Sequence, residues 1–124
     1  MNMKKFKIVE VYSGYGEMGI EGIDVVEGKS LKGVCSKLNK DNLKGLLEYC
    51  EGKYEKKINK SMWEEFYNFV KVNSKEGWGS VGGGEENFYL VFGEKSKWFE
   101  LIDNNKEWSD EFFEKEWKEF CYRG

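Results

Sequence analysis

The sequence predicts an α+β fold, in which a small antiparallel sheet of two hairpins, about four strands in all, packs on one face against about four helices. The predicted order is ββ-ααα-ββ-α, because strand-like patterns near both ends of the chain enclose a block of helical periodicity. The 124 residues contain no proline, and no low-complexity run or shift in composition marks a linker. We therefore expect one globular domain over residues 1–124.

The first predicted element is an N-terminal hairpin. Residues 5–12 are rich in β-branched and aromatic side chains that partly alternate with polar ones, and a second strand pattern covers residues 18–26. Between them, the glycine-spaced residues 12–16 favour a turn. Both strands of the first hairpin are thus expected close to the start of the chain.

Three helices are predicted next. Ser30 can cap the first, whose apolar residues share one helix face: Leu31, Val34, Cys35 and Leu38. Asp41 can cap the second, which ends at Gly52 and repeats that spacing at Leu43, Leu46, Leu47 and Cys50. The third begins with a capping box of Ser61 and Glu64, and its apolar stripe is Met62, Phe66, Phe69 and Val70.

The last third of the chain is predicted to hold a loop, a hairpin and a helix. Residues 77–84 include five glycines, whose backbone freedom favours a loop. Residues 87–92 and 97–102 flank four turn-forming residues, which indicates a second hairpin. Ser109 can cap the final helix, whose apolar side is Phe113, Trp117, Phe120 and Cys121.

The composition excludes several classes of active site. The chain has no histidine, so Ser-His-Asp and Cys-His arrangements cannot form. Its cysteines, Cys35, Cys50 and Cys121, are too few for a structural zinc site and are predicted to be buried free thiols. We expect no metal, no cofactor and no catalytic residue. Three acids of the first hairpin, which could form a carboxylate pair for catalysis, are interpreted instead as a solvated strand face: Glu17, Glu21 and Asp24. A small enzyme acting through carboxylates or tyrosine alone is the minor alternative.

The charge pattern favours a protein partner and disfavours direct nucleic-acid binding. The formal net charge is −3, and Arg123 is the only arginine among 20 cationic residues, so phosphate and guanine have almost no bidentate donor. Acids are densest around the final helix, where four of them either form an ordinary solvated helix surface, the favoured interpretation, or face a basic protein surface: Glu107, Asp110, Glu111 and Glu114. Trp108 and Trp78 are the candidate aromatic anchors of that contact, although for Trp78 the favoured interpretation is a core residue that holds its loop.

The alternative function is small-ligand binding, for example nucleotide sequestration. Aromatic residues would stack on a base, and glycine amides would contact phosphate. The candidate residues are Tyr12, Tyr15, Trp78, Gly82, Gly83 and Gly84. Neither a Walker motif nor a dinucleotide-binding motif is present, and Glu85 and Glu86 directly after the glycines would repel an anion.

In size, acidity, lysine bias and lack of catalytic residues, the chain is similar in type to bacterial immunity proteins and phage-encoded inhibitors of host defence. This similarity implies a non-enzymatic inhibitor, such as an anti-defence protein, that blocks a basic partner such as a nucleic-acid enzyme. No signal peptide and no apolar run long enough to cross a bilayer are visible, so we expect a cytoplasmic protein without a membrane partner. Exposed aromatic residues would make a homodimer reasonable.

Overall fold

The computed structural model describes residues 3–14, 17–54, 69–82, 87–104 and 108–123. These residues form an α+β fold with a five-stranded antiparallel sheet and three helices. The strands are β1 (Lys4–Gly14), β2 (Glu17–Gly28), β3 (Val70–Asn73), β4 (Trp78–Gly82) and β5 (Asn87–Gly93). The helices are α1 (Leu31–Tyr54), α2 (Trp98–Asn104) and α3, in which a π-helical turn (Phe113–Trp117) joins two α-helical segments, Trp108–Phe112 and Lys118–Arg123.

The strand order in the sheet is β2-β1-β5-β4-β3, and all neighbours are antiparallel. The predicted N-terminal hairpin is confirmed, with a register that runs from Lys4 opposite Gly28 to Gly14 opposite Glu17. Strand β1 also pairs with β5, from the last third of the chain, and β5 is the central strand of the sheet. Strands β2 and β3 are therefore the two edges of the sheet.

A β-bulge interrupts the first hairpin. Val11 lies opposite Ile20, whereas Glu10 lies opposite Gly22, so Glu21 is an additional residue in β2. Successive side chains of a regular strand point to opposite faces of the sheet, so one additional residue reverses this alternation for the rest of the strand. As a result, four apolar side chains of β2 lie on the same face of the sheet: Met18, Ile20, Ile23 and Val25.

Helices cover both faces of the sheet, which corrects the expectation that they pack on one face. Helix α1 covers the first face, where Phe6, Cys35, Val81 and Val91 form a buried cluster. Helices α2 and α3 cover the second face with a larger, aromatic-rich cluster: Val9, Val11, Trp78, Leu90, Phe92, Trp98, Ile102, Trp108 and Phe112. We call these the α1 face and the aromatic face.

Helix α1 is one continuous helix, whereas two tandem helices were predicted. The Ser30 cap is confirmed, since its Oγ accepts a hydrogen bond from the N–H of Gly33 at 3.0 Å. The predicted second cap, Asp41, lies inside the helix without interrupting it, because no proline blocks propagation and Asn39 beside it is buried. The predicted third helix falls mainly outside the described residues (61–68), and Val70 begins β3 instead of continuing it.

The glycine-rich segment is a strand over its described part, so the loop prediction for residues 77–84 is wrong there. Gly77 has φ +80° and closes the turn before β4, whose residues are all buried. A Cβ on Gly79 would lie 2.8 Å from the carbonyl oxygen of Lys71 and 3.0 Å from Sγ of Cys35. Glycine at this position therefore allows β4 to approach β3 and α1 closely. Residues 83 and 84 lie outside the described residues.

The second predicted hairpin is half correct. Residues 87–92 belong to β5, but residues 97–102 fall largely in helix α2, not in a strand. Ser96 starts this helix, since its Oγ accepts a hydrogen bond from the N–H of Trp98 at 3.2 Å. Trp98 and Ile102, one helical turn apart, are both buried in the aromatic cluster.

A lysine of strand β1 joins the sheet to α2. Lys7 points from β1 towards the aromatic face, where its ammonium group donates hydrogen bonds to the carbonyl oxygen of Phe99 at 2.8 Å and to the carboxylate of Asp103. It also lies 4.4 Å from the centre of the Phe99 ring. These contacts compensate for the loss of water around the ammonium group of Lys7, a residue that is only 8% exposed.

The final helix is confirmed, but it begins at Trp108, before the predicted cap Ser109. In its π-helical turn the N–H of Lys118 bonds to the carbonyl oxygen of Phe113, five residues earlier. Residues five apart therefore lie on one side, and Trp117 shares the core side with Phe112. Cys121 is exposed, contrary to the predicted buried thiol.

Cys35 fits the prediction of a buried thiol. Its side chain is fully buried between α1 and β4, and this burial raises the pKa of the Cys35 thiol to about 12. The thiol is therefore neutral at physiological pH and behaves as a small apolar group. The side chain of Cys50 lies outside the described part of the structure.

Candidate functional site

The two tryptophans predicted as partner anchors are buried. Trp78 is 0% exposed and Trp108 is 2% exposed, and both belong to the aromatic cluster. The ring of Trp78 lies 4.8 Å from that of Phe112 and 4.4 Å from that of Phe120, measured between centroids. The structure thus corrects the expectation of exposed anchors, and Trp78 is the core residue that the sequence left open.

The predicted acidic residues of the final helix are exposed where they are described. Asp110, Glu111 and Glu114 lie on the outer side of α3, away from the buried Phe112. Glu111 forms a surface ion pair with Lys115, with 3.3 Å between Oε1 and Nζ. Glu107 lies outside the described residues.

The residues predicted to bind a small ligand do not form a common site. Tyr12 projects from the α1 face, whereas Trp78 is buried on the aromatic face. The N–H of Gly82 donates to the carbonyl oxygen of Phe69 at 2.8 Å, so this amide is already used within the sheet. Tyr15, Gly83 and Gly84 lie outside the described residues.

The outer strand β2 carries the most extensive apolar exposure in the described part of the chain. Met18, Ile20, Ile23 and Val25 are between 38% and 60% exposed, and all four lie on the aromatic face, beyond the cover of α2 and α3. The strand also contains four acids and no lysine or arginine. We call this strand, with its side chains on both faces, the β2 edge surface.

On the α1 face, acids from β1 and β2 converge near Asn87 and Tyr89. The Nδ2 of Asn87 donates a hydrogen bond to Oε1 of Glu10 at 3.2 Å and lies 3.5 Å from Oε2 of Glu21. Burial raises the pKa of Tyr89, and the negative charges of Glu10 and Glu21 raise it further. The strand pair thus presents a negative potential on this face.

Sequence reasoning found the acids of β2 but missed the surface as a whole. The apolar residues lie at 18, 20, 23 and 25, and this spacing breaks regular alternation, so it predicts no common face. The signal that could have revealed the surface is Gly22, because an isolated glycine inside a strand pattern is typical of a bulge.

A cavity of about 460 Å³ lies at the start of α1. Three lysines from separate parts of the fold line it, together with the hydroxyl groups of two serines and the apolar side chains of Phe6 and Leu31. The polar residues of the lining are these lysines and serines and one acid: Lys4, Lys32, Lys95, Ser30, Ser74 and Glu94. The first turn of α1 contains no acidic residue, so the positive end of its helix dipole adds to the charge of the lysines.

Comparisons with protein-family models, curated proteins and solved structures find no match to this chain.

Two further observations concern the described residues only. They contain no cluster of three or more acidic or cysteine side chains arranged to hold a metal ion. They also contain no helix with the length and apolar character required to span a membrane.

Proposed function

We propose that the chain is a non-enzymatic binding protein of the inhibitor or immunity type, which blocks a basic partner such as a nucleic-acid enzyme. The observation that supports this proposal most directly is the placement of Asp110, Glu111 and Glu114. All three are exposed on the outer side of α3, while Trp108 and Phe112 on its inner side are buried. A rigid helix thus presents the carboxylates to solvent.

Such an arrangement suits recognition of a positive surface. Exposed carboxylates attract a basic partner over several ångströms and increase the rate of encounter more than they increase the lifetime of the complex. Because α3 is fixed by aromatic packing, the backbone that carries these acids is already ordered, and little backbone entropy is lost on binding. The same acids in a mobile segment would bind less tightly.

Charge reversal on α3 tests the proposal. Glu111→Lys combined with Glu114→Lys should slow association with the partner by about tenfold or more at low salt, with a much smaller change in dissociation rate. The partner is first captured from a cell extract on the immobilised wild-type chain and identified by mass spectrometry. Association and dissociation rates of the purified pair are then measured at several salt concentrations.

The matched control is Asp41→Lys combined with Glu94→Lys. Both residues are exposed and lie outside α3, and the pair produces the same change in net charge. This control should retain most of the wild-type association rate. Equal losses in both variants would mean that only net charge matters, and failure to capture any protein would contradict a protein-binding function.

The lysine-lined cavity favours a second candidate function, the binding of a phosphate-bearing small molecule. Its three lysines outnumber its one acid, Glu94, so the lining carries a net positive charge that can attract an anion, and Phe6 offers an apolar surface for a flat group. The candidate ligand site is therefore this cavity, whose lining contains none of the tyrosine and glycine residues that were predicted from the sequence to bind a ligand. A nucleotide has both a phosphate group for the lysines and a flat base for Phe6.

Release of bound molecules separates the two candidates. If the chain sequesters a nucleotide, protein purified from its source cells should release a phosphate-bearing molecule on denaturation, detected by mass spectrometry. Lys4→Glu combined with Lys32→Glu should reduce the released amount by about tenfold or more, since two favourable charges become unfavourable.

The control for this experiment is Glu111→Lys combined with Glu114→Lys, which should leave the released amount unchanged. Asp41→Lys combined with Glu94→Lys is unsuitable as a control here, because Glu94 also lines the cavity. Absence of any released molecule would reject this candidate.

A further inference from the structure

Strand β2 offers an unpaired backbone edge. It is 12 residues long and pairs with β1 on one side, and no other strand of the described chain pairs with its outer side. The N–H and C=O groups along such an edge can bond to another extended chain. Charged side chains on natural edge strands commonly prevent pairing with another chain. The distribution of side chains on β2 therefore decides which kind of strand can pair with it.

The two faces of β2 differ in chemistry. Because of the bulge at Glu21, the exposed apolar side chains of Met18, Ile20, Ile23 and Val25 all lie on the aromatic face. Asp24 lies on the α1 face, opposite Ile8, and Glu21 also reaches that face, where it approaches Asn87. An incoming strand beside β2 would therefore meet mainly apolar side chains on the aromatic face, where Glu27 lies opposite Lys5 at the end of the row, and carboxylates on the α1 face.

A second copy of the chain fits this edge poorly. Antiparallel pairing of β2 with itself would bring two strands together that each carry four acids and no cation. Like charges on directly opposite residues destabilise a strand pair, whereas opposite charges stabilise it. Charge complementarity thus favours a cationic strand from a different protein.

We propose that the β2 edge binds an extended segment of a basic partner by strand addition, and that apolar side chains alternate with lysine or arginine in this segment. The inference rests on the proposed function, because the segment belongs to the basic partner proposed above. Backbone hydrogen bonds to β2 supply affinity, and the alternating side chains supply specificity. Apolar residues of the segment cover Met18, Ile20, Ile23 and Val25, and its cations lie against Glu21 and Asp24.

The neighbouring residues support this assignment. Glu10 of β1 and Glu21 both approach the side-chain amide of Asn87. Burial raises the pKa of Tyr89 most, and the negative charges of these two carboxylates raise it further. A cation from an added strand would lie among several carboxylates instead of one. On the aromatic face, α2 borders the apolar side chains, since Lys7, opposite Val25, is bonded to Asp103 of α2.

Synthetic peptides of about nine residues, the length of a long strand, test the proposal on the wild-type protein. One peptide alternates valine and lysine, and the control peptide alternates valine and glutamate. Binding is followed by isothermal titration calorimetry and by backbone amide chemical shifts in ¹⁵N-labelled protein. The lysine peptide should bind at least about tenfold more tightly than the glutamate peptide, with the largest shifts in β2.

A charge-reversal variant identifies the acids involved. Glu21→Lys combined with Asp24→Lys should weaken binding of the lysine peptide by about tenfold, whereas Glu111→Lys combined with Glu114→Lys should change it by less than about twofold. The measurements are made at 0.15 M salt, where charges more than about 8 Å apart are largely screened. The wild-type shift map does not depend on whether a variant folds.

Three results would overturn the inference: equal affinity for both peptides, amide shifts centred outside β2, or shifts in β2 that depend on protein concentration without peptide, which would indicate self-association. The proposed function has a separate readout. If the peptide fails to bind but reversal on α3 slows association with the captured partner, the inference fails and the proposed function stands. If the peptide binds β2 but reversal on α3 has no effect, α3 is not the docking helix.

Discussion

Replacing Trp78 with alanine is expected to lower the free energy of unfolding by about 3–5 kcal/mol. Trp78 is fully buried in β4 and faces aromatic rings from β5 and α3 at centroid distances between 4.4 and 6.4 Å: Phe92, Phe112, Trp117 and Phe120. Removal of its ring leaves a cavity where the sheet meets the final helix, and that cavity cannot close without moving α3. Urea unfolding followed by circular dichroism measures the loss.

Trp78→Phe is the matched control. The buried Nε1 of Trp78 has no hydrogen-bond partner among the described residues, so its removal breaks no hydrogen bond to them. Phenylalanine removes that donor and keeps most of the ring contacts. We expect the phenylalanine variant to lose less than half as much stability as the alanine variant. Equal losses would show that the whole indole is required, and a loss below about 1 kcal/mol for alanine would contradict the central position of Trp78.

Deletion of Glu114 is expected to leave the free energy of unfolding within about 1 kcal/mol of wild type. Glu114 is an exposed residue of the π-helical turn, which contains one residue more than an α-helical turn needs. Without it, the core residues Trp108, Phe112, Trp117 and Phe120 would be separated by four, four and three residues, which is the spacing of one face of an α-helix. Thermal and urea unfolding measure the effect.

Insertion of one alanine after Glu114 is the contrasting variant. A second additional residue would rotate Trp117 and Phe120 by about 100° away from the sheet, because an α-helix has 3.6 residues per turn. We expect a loss of more than about 3 kcal/mol, since two aromatic side chains would leave the core. If deletion destabilised the protein as much as insertion, the π-helical turn would be a required feature of the core and not an accommodated extra residue.

The elements that sequence patterns predicted correctly are those fixed by local signals. The first hairpin follows from alternation in residues 5–12, and the Ser30 cap from a hydroxyl before an apolar helical stripe. Exposure of Asp110, Glu111 and Glu114 also follows from their helical spacing relative to the apolar residues. None of these features depends on contacts with distant parts of the chain.

The errors arose where distant contacts decide the structure. Gly79 was interpreted as a source of flexibility, but it is needed because Lys71 and Cys35 approach the backbone of β4 closely. Residues 97–102 contain adjacent pairs of large apolar residues, a pattern that fits a short strand as well as a helix. The Ser96 cap and the aromatic cluster select the helix. Local propensity alone could not decide between the two.

The candidate site was predicted only in part for the same reason. Burial of Trp78 and Trp108 depends on the position of α3 over β4 and β5, which no short segment encodes. The β2 edge surface depends on one additional residue, Glu21, in a strand whose partner has none. A bulge is a property of two paired strands, so a single strand reveals it only through indirect signs such as Gly22.

The pairing of β1 with β5 has a consequence for the order in which the molecule is built. The first hairpin contains only local contacts and can form as soon as residues 4–28 are synthesised. Strand β1 remains without its second neighbour until β5 is made, and the aromatic face stays uncovered until the C-terminal helices follow. During that interval the apolar side chains of both strands are exposed together. Charge repulsion between the acids of β2 is then expected to disfavour pairing between the unfinished hairpins of different chains.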